Sequence, residues 1–572
     1  MFPATLWRWT GINEHQQTMP LQGASSVIDS IAHINEFGNE FDEPSQVINM
    51  APVQLEPETR YGPAVAVASH IVMAVYLTVE AGRSLHRAFH GLGPSQDTRG
   101  RVARRNTLLP IFAGLALISL IRAVHGSTSY AVLSYKVWAS DHGVELPTQF
   151  YGSTGIFPPG ENATSIYPLQ WLSDTPIHLD ALEIIAEKTR RFWWGQQVDL
   201  GLISWSMLLA IEGQRRNIPL LWCYQLLAQL VSLAFAQNLF FVAMLLTPSP
   251  LPADDHSSSL PPQYVRVRNR LLPPKPAGWT PHAWVFSTIL VLKSTAMLLL
   301  PSWVNTEMFK YLVLATRLLS FAPLAVYYIL PESCGKTHGS PHGAYGTYKQ
   351  LFQAISVASL VLHVRASIAA LAYNAPAAYH HRHSIHLPFD LEQRSAWERT
   401  TSAFGRVLGA TSDHPVVGAA GWDVILSSIS IGFWVATRAT DVSAILASTI
   451  PAYRGQERTT KDEAKLEPNA VTRGQAKALV DPGAGTSSAS GDGEEDGAGR
   501  RRRGRSRKIK REDPSGMAYE PSASEAAATD EGDALPSDEL DWESAAVIWG
   551  LTSVGGLGVG SAGAFGGECV AR

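Results

Sequence analysis

About eight apolar stretches, each near the ~20 residues that a helix needs to cross a bilayer, run from Gly62 to Ala447. They predict helices over Gly62–Gly82, Thr107–His125, Trp193–Ile211, Ile218–Thr247, His282–Trp303, Phe309–Leu330, Leu351–Tyr373 and Ala419–Ala447. The fourth is long enough to tilt or to overshoot the apolar layer. A ninth candidate, Ser544–Gly566, is full of glycine. Its run Gly556-Leu-Gly-Val-Gly560 sets small residues four apart on one helical face, where helix backbones can approach closely in lipid. The other reading of that segment is a flexible glycine-rich tail. The pattern predicts an all-α fold, a polytopic transmembrane helical bundle of about eight or nine spans with disordered tails.

The polar stretches divide the chain. Residues 1–61 lack helical periodicity and read as a loose N-terminal tail. Residues 62–450 form the bundle, with 127–191 as a folded extramembrane loop. From 451 to 541 Gly, Ala, Ser, Glu and Asp dominate, around an arginine-rich run at Arg500–Arg511. Such a segment buries too little apolar surface to offset chain entropy, and it reads as a disordered linker. A nuclear signal or a lipid-headgroup contact are the other readings of its basic run. Residues 542–566 are the terminal helix and 567–572 a short tail.

Composition supports the membrane class. The chain is 45% hydrophobic and 17% charged, below the ~25% charge of ordinary soluble proteins. A net charge of −4 provides no basic field for nucleic acid, so no nucleic-acid partner is expected. Three cysteines, Cys223, Cys334 and Cys569, are too few and too scattered for a disulfide framework or a zinc site. No basic segment followed by an apolar one opens the chain, so the first apolar helix is expected to direct insertion into the endoplasmic reticulum. The loop Arg83–Arg105 and the pair Arg215-Arg216 would then be cytosolic if the amino terminus is lumenal. Asn162, in the sequon Asn162-Ala-Thr164, would be lumenal and open to glycosylation. Arg266, Arg268, Arg270 and Lys275 oppose that orientation.

Ionisable groups at membrane depth are costly, so each is a functional candidate. The segment Phe192-Trp-Trp-Gly-Gln-Gln-Val-Asp-Leu-Gly201 places Gln196, Asp199, Ile203 and Ser206 on one helical face. A protonated carboxylic acid at Asp199, in a water-poor cavity lined by indoles, would be a proton donor. The plainer reading pairs Asp199 with Arg122, Lys293, Arg317 or Arg365 and makes it a packing element. The fourth stretch carries Gln225, Gln229, Gln237 and Asn238, which either bond neighbouring helices or orient a polar headgroup. Asp423 is a second carboxyl, able to divide acid and base roles with Asp199 or to serve a helix start. Glu212 reads as a surface ion pair with Arg215 and Arg216. His70 and His363 read as packed, hydrogen-bonded histidines. The run Tyr379-His-His-Arg-His-Ser-Ile-His386 is one histidine box without a matching second, so it reads as a solvated loop. No Asp-Asp-x-x-Asp motif and no phosphate-cradling glycine loop occurs. No metal site and no cofactor is expected.

Phe192–Gly201, Leu226–Phe241 with Leu246-Thr-Pro-Ser-Pro-Leu251, and Gly555–Glu568 resemble the membrane-bound terpene cyclases of fungal meroterpenoid pathways, of the ascofuranone and ascochlorin type. The resemblance covers roughly Tyr61–Ala447 plus the terminal helix. It implies a reaction on a prenylated aromatic, whose farnesyl chain, usually bearing a terminal epoxide, is protonated and cyclises through carbocations. It implies no metal, and it makes Asp199 the proton donor. Such a lipophilic substrate resides in membrane lipid, and a dry cavity protects its cations from water. Trp193, Trp194, Trp205, Tyr224, Phe235 and Trp434 could steady the positive charge, each desolvated contact contributing ~2 kcal/mol. Trp193 and Trp194 read equally as an interfacial aromatic belt. Trp193, Trp194, Trp205 and Tyr224 with Gln196, Gln197, Gln225, Gln229, Gln237 and Asn238 make up the expected substrate-binding set. The competing class is a non-enzymatic transporter or receptor for a small hydrophobic molecule.

Overall fold

The computed structural model describes residues 60–90, 99–144, 166–216, 218–247, 279–338, 344–382, 390–438, 440–453 and 540–570. The tail before residue 60, the sequon at Asn162, the basic loop 266–275 and the linker 454–539 lie outside them, as do residues 383–386 of the histidine box. Sixteen α-helices lie among the described residues, with two short antiparallel ribbons. In chain order the helices begin with α1 Tyr61–His90, α2 Arg99–Asp141, α3 Pro168–Asp174, α4 Ile177–Glu187 and α5 Thr189–Leu208. A π-helical turn, Leu209–Gly213, follows. Next come α6 Leu221–Leu230, α7 Leu233–Leu246, α8 Ala283–Leu299, α9 Glu307–Leu319, α10 Ala322–Ile329 and α11 Tyr345–Asn374. The last are α12 Ala396–Leu408, α13 Pro415–Arg438, α14 Val442–Thr449, α15 Trp542–Gly555 and α16 Leu557–Val570.

Five of these helices are long and apolar enough to cross a membrane, and the α9–α10 pair, bent by 58°, raises the number to six. The expected eight or nine spans rested on apolar length, which does not register breaks. The apolar stretch Ile218–Thr247 is two helices, α6 and α7, interrupted at Val231–Ser232. Ala419–Ala447 divides into α13 and α14, and Ser544–Gly566 into α15 and α16. The expected extramembrane loop 127–191 is largely helical where it is described. Helix α2 continues through it to Asp141, and α3 and α4 fold against the bundle, with Tyr130 donating to the Ile177 carbonyl at 3.0 Å.

The outer helices turn apolar side chains outward. Val65, Val72, Val75 and Tyr76 on α1 are more than half exposed, as are Leu117 and Ile121 on α2 and Val361 on α11. A stripe of this kind on several long helices is what lipid covers.

The centre of the bundle is α16. Its residues Leu557 to Cys569 are all buried, and it packs chiefly on α11, α5, α14 and α15. Glycine makes this possible. A Cβ at Gly558 would sit 2.7 Å from Ser359 Oγ and 2.8 Å from Leu200 Cβ, too close for any side chain. Gly556 takes φ +81°, a conformation that favours glycine, and it turns the chain between α15 and α16. Gln197 accepts the Leu557 amide at 2.9 Å just after that turn.

At one end of α16 lies a buried ionic network. Glu568 Oε1 meets Arg216 Nη2 at 3.3 Å and Arg438 Nη2 at 3.2 Å, and all three side chains are 2% exposed. Glu212, in the π turn, pairs with Arg215 at 2.6 Å and Arg216 at 3.1 Å. The expected surface pair therefore exists but is buried, because Glu568 and α16 close over it.

Candidate functional site

Two cavities lie on opposite sides of α5. The first, about 270 Å³, opens between α2, α4, α5, α6, α9 and α13. The second, about 370 Å³, lies at the Gly556 turn between α5, α11, α13 and α15. Residues five apart on a helix point well away from each other. Trp194 and Asp199, close neighbours in sequence, therefore face different cavities.

The first cavity gathers Asp199, Asp423 and Gln229 from the expected set, with Arg122, Arg317 and Trp422. Asp199 Oδ1 lies 3.8 Å from Arg317 Nη1, so the plainer reading of Asp199 named its partner among four. That separation is longer than a hydrogen bond. Lys293, 2% exposed, donates to Ser320 at 2.6 Å and is close enough to interact electrostatically with Asp199 and Arg317. Gln229 donates to the Arg317 carbonyl at 3.2 Å, fixing α9 against α6.

Asp423 meets the break between α6 and α7. Its two oxygens accept the amides of Leu233, at 2.9 Å, and Ala234, at 2.7 Å. These are first-turn amides without intrahelical acceptors. Ser232 completes the cap by accepting the Phe235 amide at 3.1 Å. Asp423 thus serves a helix start, though the helix is α7 and not its own. Arg122, in the apolar part of α2, lays its guanidinium 4.2 Å from the centre of the Trp422 ring.

The second cavity takes Trp193, Trp194 and Gln197, with His363 and Trp549. Gln197 pairs with His363 Nδ1 at 2.7 Å. The indole N–H groups are used within the bundle, Trp193 on Ser367 at 2.9 Å, Trp194 on the Val407 carbonyl at 3.0 Å and Trp549 on the Ser428 carbonyl at 3.0 Å. Trp193 and Trp194 meet edge to face at 4.9 Å. The belt reading fails for Trp194, which is 7% exposed and bonded inward.

The remaining expected residues are core. Trp205 and Tyr224 are buried in the main apolar cluster around Phe240, and Trp434 stacks on Phe241 at 4.6 Å. Phe235 is buried at the start of α7. Gln196, Gln225 and Gln237 are fully or nearly fully buried. Among the described residues neither amide atom of Gln225 or Gln237 has a hydrogen-bond partner. Asn238 bonds Ser430 at 2.8 Å across to α13. His70, bonded to the Leu230 carbonyl at 3.0 Å, is a packed histidine as expected.

Arg122 entered the sequence reading only as a counter-ion for Asp199, and Trp422 and Trp549 did not enter it. A lone guanidinium in an apolar stretch was the available signal for the first. No sequence signal marks Trp422 or Trp549, since their roles depend on which helices adjoin. No known protein family, no curated protein and no solved structure matches this chain.

Proposed function

We propose that this chain is an integral membrane terpene cyclase, multi-pass in the endoplasmic reticulum. It acts without a metal on the (epoxy)farnesyl chain of a prenylated aromatic in meroterpenoid biosynthesis. The observation that carries the reading is the meeting of Asp199 and Asp423, from α5 and α13, on one cavity inside an apolar bundle. Asp199 gives a proton to the epoxide oxygen, the C–O bond opens, and the chain's alkenes close onto the resulting cation. A C–H proton then leaves to Asp423, so one proton is given, one is taken and the product is an isomer of the substrate. Phe192 lines this cavity and offers the cation an aromatic face, in place of Trp193 and Trp194.

Two conditions follow from the geometry. As an ion pair with Arg317, Asp199 has no proton to give, so the 3.8 Å contact must part before the reaction. A volume of about 270 Å³ lies below the ~300–1,000 Å³ of ligand sites, so the cavity would hold only a folded segment of the chain while the remainder reaches lipid.

Microsomes carrying the protein, fed a farnesylated phenol epoxide, should yield a cyclised isomer of unchanged mass. Unreacted substrate beside well-expressed protein would remove the reading. The transporter or receptor alternative is favoured by a specific feature, the interruptions at Val231–Ser232, at the 58° bend and at Gly556, since broken helices frame many transport sites. Saturable uptake of the same substrate into sealed vesicles without conversion would support it.

A further inference from the structure

We infer that Arg122 is an anchor for an anionic group on the ligand of the first cavity, so that the ligand is an amphiphilic acid: an apolar chain on a head bearing a carboxylate. The inference rests on that cavity being the substrate site, and it adds the chemistry of the head.

Other charged side chains within the bundle have visible partners. Arg216 and Arg438 share Glu568, Arg215 has Glu212, Arg317 has Asp199, and Lys293 has Ser320. Arg122 has neither a hydrogen bond nor an ion pair among the described residues. Its Nε is buried without a partner. The two carboxylates on the same cavity are engaged elsewhere, Asp199 by Arg317 and Asp423 by the Leu233 and Ala234 amides. A guanidinium so placed is costly to keep in an apolar helix unless an anion meets it in use.

The geometry suits a carboxylate. Its Cζ lies 4.2 Å from the centre of the Trp422 ring, and a guanidinium carries the fork of N–H donors that binds a carboxylate through two parallel hydrogen bonds. Leu182, Ile185 and Phe192 line the same cavity and offer apolar surface for the body of the ligand. The lining thus joins a guanidinium to apolar surface, which suits an acid with an isoprenoid tail.

The test reads binding and not turnover. Full-length protein in a neutral detergent is titrated with a farnesylated hydroxybenzoic acid and, separately, with its methyl ester. The acid should bind at least about tenfold more tightly than the ester. Arg122→Gln should remove that preference, and Arg122→Lys should keep part of it, with both variants eluting as the native particle. Equal binding of acid and ester, or a preference that survives in Arg122→Gln, would overturn the inference. Displacement of the acid by phosphatidic acid at equal concentration would also overturn it, by making the site one for a phospholipid headgroup. Loss of cyclisation with the acid preference intact would sink only the proposed reaction, and an intact reaction without the preference would sink only the anchor.

Discussion

Asp423 holds Ala234: a carboxylate on α13 accepts, at 2.7 Å, the amide of a residue in the first turn of α7. With the Leu233 amide on its other oxygen, it serves the start of a helix to which it does not belong. Asp423→Asn keeps one acceptor and turns an N–H group toward an N–H group. The variant should lose about 1–3 kcal/mol of stability, read as an earlier thermal transition in detergent. Asp423→Glu should lose less. An unchanged transition in Asp423→Asn would show that the cap carries no stability, leaving only a chemical role for the carboxylate.

The Asp199–Arg317 contact separates two views of the acid. If Asp199 donates the proton, Asp199→Asn should lower turnover of the epoxide by at least ~100-fold, with the protein still in the membrane. Arg317→Gln should leave turnover unchanged or raise it, because removing the guanidinium frees the donor. Equal losses in the two variants, with lowered expression in both, would identify the pair as a packing element.

Gly556, at the turn, and Gly550, in the helix before it, make a matched comparison. Gly556 has φ +81°, and a Cβ there would strike the Gln197 amide and the His363 ring. Gly556→Ala should cost about 1–3 kcal/mol and lower the yield of folded protein. Gly550 lies inside α15 with nothing within 4 Å of its would-be Cβ. Gly550→Ala should be neutral or stabilising by up to ~1 kcal/mol. Thermal unfolding of both variants, side by side, checks the contrast.

Burial decides what an ion pair contributes. Glu568→Gln removes the carboxylate shared by Arg216 and Arg438, leaving Arg216 with Glu212 alone and taking this counter-charge from the buried Arg438. A loss of about 3–5 kcal/mol is expected. Glu307 and Lys310 on α9 form an exposed pair, and Glu307→Ala should leave the transition where it was. Limited proteolysis of the two variants would show the difference as early cleavage in the first alone.

The sequence reading found what apolar length and residue type determine. Long apolar runs marked α1, α2, α8, α11 and α13, and the glycine spacing in 556–560 marked a segment that packs closely. It missed what depends on partners far away in the chain. The stretch Ile218–Thr247 looks continuous because the cap that divides it comes partly from Asp423. Glu212 looks like a surface residue because its burial comes from α16. Trp194 and Asp199 look like one site because a short segment conceals how far a helix rotates them apart. Gln225 and Gln237 look like binding groups because amides in an apolar stretch are unusual, yet both are enclosed in the core with Tyr224 and Phe240 around them.

The central position of α16 also orders the assembly of the protein. A ribosome delivers Leu557–Val570 after every helix that surrounds it. Until then α5, α11 and α14 have a slot between them and nothing to put in it. The bundle must either wait ajar or close on lipid and reopen, so its final locking step comes late in synthesis and depends on a strand of small residues thin enough to slide into place.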